Sequence, residues 1–407
     1  MLIAGEASGD TLATELVSAL REQSYILNPP SSPRFIGAGG PKMATAGVEL
    51  AFDLTQHSVI GVSDVLKNLF VYRRLFNQLL ELAIKHKPDA VIGVDYGGFN
   101  LRFGHAVKQY VRKNRSASLP WNPKIIQFVS PQVWASRPGR ANLLAADYDL
   151  LLSIFPFEKD WYARRVPNLR VEFVGHPMVG RFTNDDLRLT RPESETSRSR
   201  GDEAQTKEKL ETPQVVSYKS KILLLPGSRK SELQRHLPPL LGALKLIREK
   251  LPEVRAKMVL PNQELKSLAD KLAPQAKVEI QIGNLPDALA QADVAIASTG
   301  TVTVECAFFG VPTVTLYKTS WLTYQIAKRI VTVKSLTMPN LLAGEEVYPE
   351  FIQNDATAEN IAGAALELLQ TESRRAQIKK RLAEVVGMLG EPGAPKRAAI
   401  AILGLFD

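Results

Sequence analysis

Cysteine is nearly missing from this chain: Cys306 is the only one in 407 residues. A disulfide framework is therefore impossible within one chain, and the composition suits a reducing compartment. Histidine is scarce too, with five scattered copies, and no grouping of His, Cys, Asp and Glu has metal-ligand spacing, so no metal is expected. Asp147-Tyr148-Asp149 has the outline of a metal-binding acidic pair. It precedes the apolar run Leu150–Phe155 instead of following a strand, and reads as a strand entry. No uninterrupted apolar run approaches the roughly 18–20 residues that span a bilayer. The opening Met1-Leu2-Ile3-Ala4 is too short for a signal peptide and reads as the tail of a first strand, with room for a few residues upstream. Zinc-finger spacing, an RNP-like aromatic strand and a long basic tract are all missing. The net charge of +9 is spread along the chain, which points to anionic small ligands or lipid head groups and not to nucleic acid.

What is present is an α/β pattern of two-domain length. Apolar residues make up 45% and charged residues 23%, a globular balance, and 407 residues are enough for two cores. Short apolar runs recur between longer helical stretches. They are Ala90–Val94, Ile125–Val129 and Leu150–Phe155 in the first half, then Ile222–Leu225, Lys257–Leu260, Val294–Ala297 and Thr313–Leu316 in the second. Continuous apolar strands alternating with helices predict parallel sheets covered on both faces. From Thr183 to Pro213 almost half the residues are charged and apolar ones are rare. Such a stretch cannot bury enough surface to order itself and reads as a solvated insertion. The expected organisation is a Rossmann-like domain over 1–182, the insertion over 183–213 and a second Rossmann-like domain over 214–389. A C-terminal helix at about 390–407 could pack back on the first domain.

Ligands of open parallel sheets sit beyond the carboxyl ends of the strands, and the informative residues fall there. Gly5-Glu6-Ala7-Ser8-Gly9-Asp10 follows the first strand, with Ser8 and Asp10 placed to cap the next helix. Gly37-Ala38-Gly39-Gly40-Pro41 only superficially resembles a dinucleotide loop, since the fingerprint needs a further glycine and a later acid. A strand delivers Asp95 within Gly93-Val94-Asp95-Tyr96-Gly97-Gly98-Phe99-Asn100, either to hydrogen-bond loop amides or to act as a general base toward a hydroxyl. Leu225-Pro226-Gly227-Ser228-Arg229 joins a strand end, a tight turn and a guanidinium, which together suit a phosphate. Ser298-Thr299-Gly300-Thr301 runs into a helix whose first amides suit a diphosphate, and Glu305, among apolar neighbours, suits the two hydroxyls of a ribose.

These segments, in order and from end to end, resemble the lipid-A-disaccharide synthase family of inverting GT-B glycosyltransferases. Further matching stretches are Val129-Ser130-Pro131-Gln132-Val133-Trp134-Ala135, Phe155-Pro156-Phe157-Glu158, Val174-Gly175-His176-Pro177-Met178 and Leu336-Thr337-Met338-Pro339-Asn340-Leu341-Leu342-Ala343-Gly344. The resemblance implies two Rossmann-like domains with mainly parallel sheets facing a cleft. It also implies transfer of 2,3-diacylglucosamine from its UDP derivative to 2,3-diacylglucosamine 1-phosphate, without cofactor, to give the β-1,6-linked disaccharide 1-phosphate and UDP. Asp95 would be the base; Gly227, Ser228, Arg229, Thr299, Gly300, Thr301, Glu305 and Asn340 would bind the donor. Ser8, Asp10, Asn100, Ser130 and His176 would lie toward the acceptor or the cleft, His176 being as readily structural as catalytic. The family pattern Ile-Asp-x-Pro-Asp-Phe-Asn reads Val-Asp-Tyr-Gly-Gly-Phe-Asn here, so Gly98 replaces a second carboxylate; the family's Ser-Gly-Thr reads Thr299-Gly300-Thr301. A UDP-sugar epimerase of the same fold and a non-catalytic lipid-binding protein remain alternatives.

Lipid substrates imply a peripheral enzyme on the cytoplasmic face of the inner membrane, with a homodimer left open. The segment Val62–Phe76 repeats apolar residues at helical spacing among basic ones. Val65, Leu66, Leu69 and Phe70 with Arg73 and Arg74 are the expected membrane or acyl contacts, although an ordinary core-facing helix has the same periodicity.

Overall fold

A computed structural model of the chain describes residues 1–27, 32–57, 69–114, 121–182 and 220–406. The charged insertion, Val65 and Leu66 lie outside the described residues. The chain divides into two compact units. Unit 1 comprises Met1–Arg181, Gln325–Thr332 and Met388–Asp407; unit 2 comprises Phe182–Tyr324 and Val333–Gly387.

Unit 1 is built on β1 (Leu2–Ala4), β2 (Ile36–Gly39), β3 (Glu49–Asp53), β4 (Ala90–Val94), β5 (Lys124–Phe128), β6 (Leu150–Ser153) and β7 (Val171–Phe173). They form one parallel sheet in the order β3-β2-β1-β4-β5-β6-β7. Its helices are α1 (Ala7–Leu27), α2 (Pro41–Thr45), α3 (Leu69–His86), α4 (Gly97–Lys113), α5 (Val133–Ser136), α6 (Ala141–Asp147) and α7 (Pro156–Ala163). All four residues of β6 are buried, which is why its sequence is apolar without alternation. Asp147 ends α6 and Asp149 precedes β6, the opposite end of the strand from the ligand edge. Asp147 pairs with His105 and Arg112, and Asp149 with Lys108 while accepting the Ile125 amide.

Unit 2 carries β8 (Lys221–Leu225), β9 (Arg255–Leu260), β10 (Glu279–Ile282), β11 (Val294–Ser298), β12 (Thr313–Tyr317) and β13 (Glu350–Ile352). This sheet is also parallel, in the order β10-β9-β8-β11-β12-β13. Around it run α8 (Lys230–Lys250), α9 (Gln263–Leu272), α10 (Leu285–Ala290), α11 (Thr301–Phe308), α12 (Trp321–Ile330), α13 (Met338–Ala343), α14 (Ala358–Gln370) and α15 (Glu372–Gly387). Half of α12 is counted with unit 1, where Thr332 donates its amide to the Ala135 carbonyl at 2.8 Å. The last helix, α16 (Ala394–Leu403), packs against α1. Arg397 ties it to unit 1 by donating to the Val174 carbonyl at 2.8 Å, and Leu389 accepts the His176 amide at 2.8 Å.

In each unit the strand order reverses between two neighbouring strands: β1 and β4 in one, β8 and β11 in the other. That switch point is where loops on either side diverge and leave a crevice.

Candidate active site

At the switch point of unit 1, β4 ends at Val94 and hands the chain to Asp95 and Tyr96, both left-handed with φ of 51° and 47°. Few non-glycine residues hold that conformation, and here it is pinned from several sides. The Asp95 amide donates to the Phe128 carbonyl at 2.8 Å. The Asp95 carbonyl accepts from Asn100 Nδ2 and from Gln127 Nε2, each at 2.8 Å. Burial raises the Asp95 carboxyl pKa, with the Tyr96 amide pulling weakly the other way. A desolvated carboxylate is a stronger base than one in water, which suits proton abstraction from a hydroxyl. Tyr96 stacks on Phe99 with centroids 5.6 Å apart and hydrogen-bonds Tyr72 of α3, while burial raises its phenol pKa. Gly98 stands in the first turn of α4, and a Cβ built there meets nothing within 4 Å among the described residues. The described residues thus leave room at Gly98, where the family pattern carries a second carboxylate.

The Ser-Pro-x-Val-Trp-Ala and Phe-Pro-Phe-Glu stretches follow the neighbouring strands β5 and β6, and the fold joins them. Glu158 is fully buried; it accepts Trp134 Nε1 at 2.9 Å and the Phe155 amide at 3.3 Å, and hydrogen-bonds Ser130. Ser130 Oγ also lies 3.1 Å from the Tyr162 hydroxyl. Burial pushes the Glu158 carboxyl up to about 7. His176 packs on Phe155, and its Nδ1 accepts the Met178 amide at 3.2 Å. That bond leaves the proton on Nε2, and burial lowers its pKa to about 4, so the ring is neutral near pH 7.

Asp10 requires a correction. It lies inside the first turn of α1, not at its cap, and both carboxylate oxygens are occupied: they accept the amides of Gly40, Lys42 and Met43, each at 3.0 Å. Asp10 therefore caps α2, and Gly40 is glycine because a Cβ there would fall 2.5 Å from that carboxylate. This contact links the Gly5–Asp10 and Gly37–Met43 motifs without any dinucleotide. Ser8 is exposed on the same first turn. The apolar stripe toward Phe76 also divides. Phe76 packs edge-on to Phe99 and Phe103 in the core, whereas Phe70 is 83% and Val71 41% exposed beside exposed Arg73 and Arg74.

At the switch point of unit 2, Gly227-Ser228-Arg229 follows β8 and does meet an anion, but that anion is the chain's own. Glu232 accepts the Ser228 amide at 3.0 Å and pairs with Arg229 at 2.7 Å. Sequence reading overlooked this carboxylate, three residues after the arginine and on the first turn of α8, as well as His236 one turn further on. The buried His236 ring donates from Nδ1 to the Pro226 carbonyl at 2.7 Å and accepts the Lys318 amide on Nε2 at 3.0 Å, riveting the loop to the end of β12. Beside it, Thr299 and Gly300 lead from β11 into α11, whose N-terminus at Thr301 has no side-chain cap. Glu305 is half-buried on that helix. Asn340, expected to orient a donor, has its polar atoms engaged within unit 2. It lies within α13, is 2% exposed, and spends its whole hydrogen-bonding capacity there. Nδ2 donates to the Tyr348 carbonyl and to Glu350 at 2.8 Å each, and Oδ1 accepts the amides of Val347 at 2.9 Å and Tyr348 at 2.8 Å.

Two doubly wound units, each with a glycine-bearing loop at its switch point, give the chain the GT-B fold. In fold, the chain is similar to a solved UDP-GlcNAc 2-epimerase from Methanocaldococcus jannaschii, with a TM-score of 0.57 and 14% identity over 99% of each chain. The chain belongs to the lipid-A-disaccharide synthase family: the family model described as lipid-A-disaccharide synthetase matches residues 1–403. Lipid-A-disaccharide synthase of Trichlorobacter lovleyi is 35% identical over 412 residues, covering 100% of this chain and 97% of that protein. The enzyme of the same name from Geobacter sulfurreducens is 34% identical over 413 residues, with 100% and 97% covered. The likeness to the epimerase is one of fold, at an identity too low to carry a reaction.

Proposed function

We propose that the chain joins two acylated glucosamines. It moves 2,3-diacylglucosamine from UDP to the 6-hydroxyl of 2,3-diacylglucosamine 1-phosphate, forming the β-1,6-linked disaccharide 1-phosphate and UDP. The observation that carries this reading is the placement of the chemistry-bearing loops. Within the family, Asp95 stands at the switch point of unit 1, and Ser228, Arg229 and Thr299–Thr301 stand at that of unit 2. Asp95 takes the proton of the acceptor hydroxyl as its oxygen bonds to the anomeric carbon and the bond from that carbon to the diphosphate oxygen breaks. A single displacement inverts the centre and needs no enzyme nucleophile. The negative charge gathering on UDP is met by Arg229, already held in place by Glu232, and by the amides at the start of α11. Glu305, on that helix, accepts the ribose hydroxyls.

Arg229→Ala and Glu305→Ala are each expected to weaken UDP binding about tenfold or more, since a charge-assisted hydrogen bond contributes roughly 1.5–3 kcal/mol. Calorimetric titration with UDP reads this directly, and unchanged affinity in both variants would remove the donor site from unit 2.

None of the described helices is long and apolar enough to cross a membrane. We propose peripheral attachment at the cytoplasmic face of the inner membrane through the start of α3, where Phe70 and Val71 stand exposed beside Arg73 and Arg74. The Tyr72–Tyr96 hydrogen bond links this turn to the Asp95 loop. The double variant Phe70→Ser, Val71→Ser should keep its melting temperature, because neither side chain is buried, and should lose binding to anionic vesicles. A large drop in melting temperature with vesicle binding retained would assign the pair to the core.

A further inference from the structure

We infer that Gln127 is a positioning residue for Asp95, acting through the Asp95 carbonyl. The inference rests on Asp95 being the base. Gln127 stands next to the carboxyl end of β5, a strand in the interior of the seven-stranded sheet, and is 0% exposed. An apolar side chain of the same volume would fill that place, as its neighbours Ile126 and Phe128 do. Instead Nε2 reaches the carbonyls of Asp95 at 2.8 Å, Val129 at 3.2 Å and Phe128 at 3.3 Å. The shortest of these goes to the one residue in the group that carries a carboxylate.

Asn100 makes the second donation to the same oxygen, also at 2.8 Å. Two side-chain amides, one from β5 and one from α4, thus fix the peptide plane that follows Asp95, the Asp95 amide bonded to the Phe128 carbonyl fixes the plane before it, and together the two planes hold the left-handed φ of 51°. At a tetrahedral Cα, fixing the backbone fixes the direction of the Cα–Cβ bond and so the origin of the carboxylate. Gly93 makes room for the pair: a Cβ there would sit 2.6 Å from Gln127 Oε1 and 2.8 Å from Asn100 Cγ. The arrangement is not optimised for stability. Gln127 Oε1 and Asn100 Oδ1 are buried and have no hydrogen-bond partner among the described residues. Buried acceptors left in that state, beside two residues of unfavourable φ, mark a place where geometry has been kept at a cost in free energy.

The test compares Gln127→Met with the parent enzyme, using UDP-diacylglucosamine donor and the monosaccharide phosphate acceptor. A base displaced by a fraction of an ångström loses part of its advantage, so kcat should fall about 10- to 100-fold. UDP affinity should stay as it was, and the acid limb of the pH–rate profile should move. Added to Asp95→Asn, the same change should have no further effect on residual turnover, because its partner is already gone. Asp95→Asn with near-normal turnover would refute the base assignment itself, whatever Gln127 does. An inactive Asp95→Asn beside a Gln127→Met of parental kcat would overturn the positioning role alone. So would equal losses in the parental and Asp95→Asn backgrounds. Gln127→Leu serves if the Met variant does not fold, and failure of both to fold would assign the amide to folding and overturn the inference.

Discussion

Asp95→Ala is expected to lower kcat by about 10²–10⁴-fold, the usual contribution of a general base. UDP affinity should stay within about twofold, because a base acts on the acceptor's proton in the transition state and Asp95 is not among the proposed UDP contacts. The pH profile supplies a second readout. Burial raises the Asp95 pKa above its ordinary 3.8, so the proton that must be absent for catalysis returns at a higher pH than for a solvated aspartate. The kcat/KM of the parent enzyme should therefore fall as pH drops through that raised value, and the fall should be missing from whatever activity Asp95→Ala retains. Glu158, pushed up to about 7, and His176, pushed down to about 4, also titrate, so a limb is assigned to Asp95 by its loss in the variant and not by its midpoint. Near-parental kcat in Asp95→Ala would end the base assignment.

The fold was legible in the sequence because parallel strands buried on both faces leave a strong trace. All seven apolar runs read as strands are strands, and Ala90–Val94 has the same ends in the structure. The edge strands β3, β7, β10 and β13 left weaker marks, being short and only partly buried. The loops were legible as places but less so as contacts. Motif position located Asp95, Arg229 and Thr299–Thr301 at strand ends, yet motif position cannot distinguish a polar residue that awaits a ligand from one the fold consumes. Asp10 and Asn340 look like site residues by spacing and are consumed by backbone amides brought in from 30 and 7 residues away. Glu232 was hidden for the opposite reason, since an acid on a helix surface is ordinary until the fold shows it holding an arginine. Gln127 carried one usable signal, a lone amide side chain inside the apolar run Ile125–Val129. A buried polar group needs partners, and that need was the clue.

Asn340→Ala should destabilise unit 2 and leave the UDP site of the remaining folded protein intact. The substitution removes the acceptor of two buried amides, Val347 and Tyr348, and a donor to the Tyr348 carbonyl, while Glu350 keeps Thr337 and Leu336 as partners. Each buried backbone group left without a partner costs about 1–3 kcal/mol, and partial relaxation brings the sum to roughly 3–5 kcal/mol. For a unit of this size that corresponds to a fall of about 10 °C or more in the melting transition. Asn340→Asp discriminates further. It preserves the acceptor for the two amides but loses the donor and sets a second carboxylate against Glu350, which lay 2.8 Å from the lost Nδ2. It should therefore also destabilise, and more at neutral pH than at pH 4, where protonation relieves the repulsion. Calorimetric scans with and without UDP decide between the two roles. If Asn340 holds the loop, both variants melt early and UDP still shifts each transition upward as it does in the parent. If Asn340 instead touches the donor, the variants melt as the parent does and the UDP-dependent shift disappears.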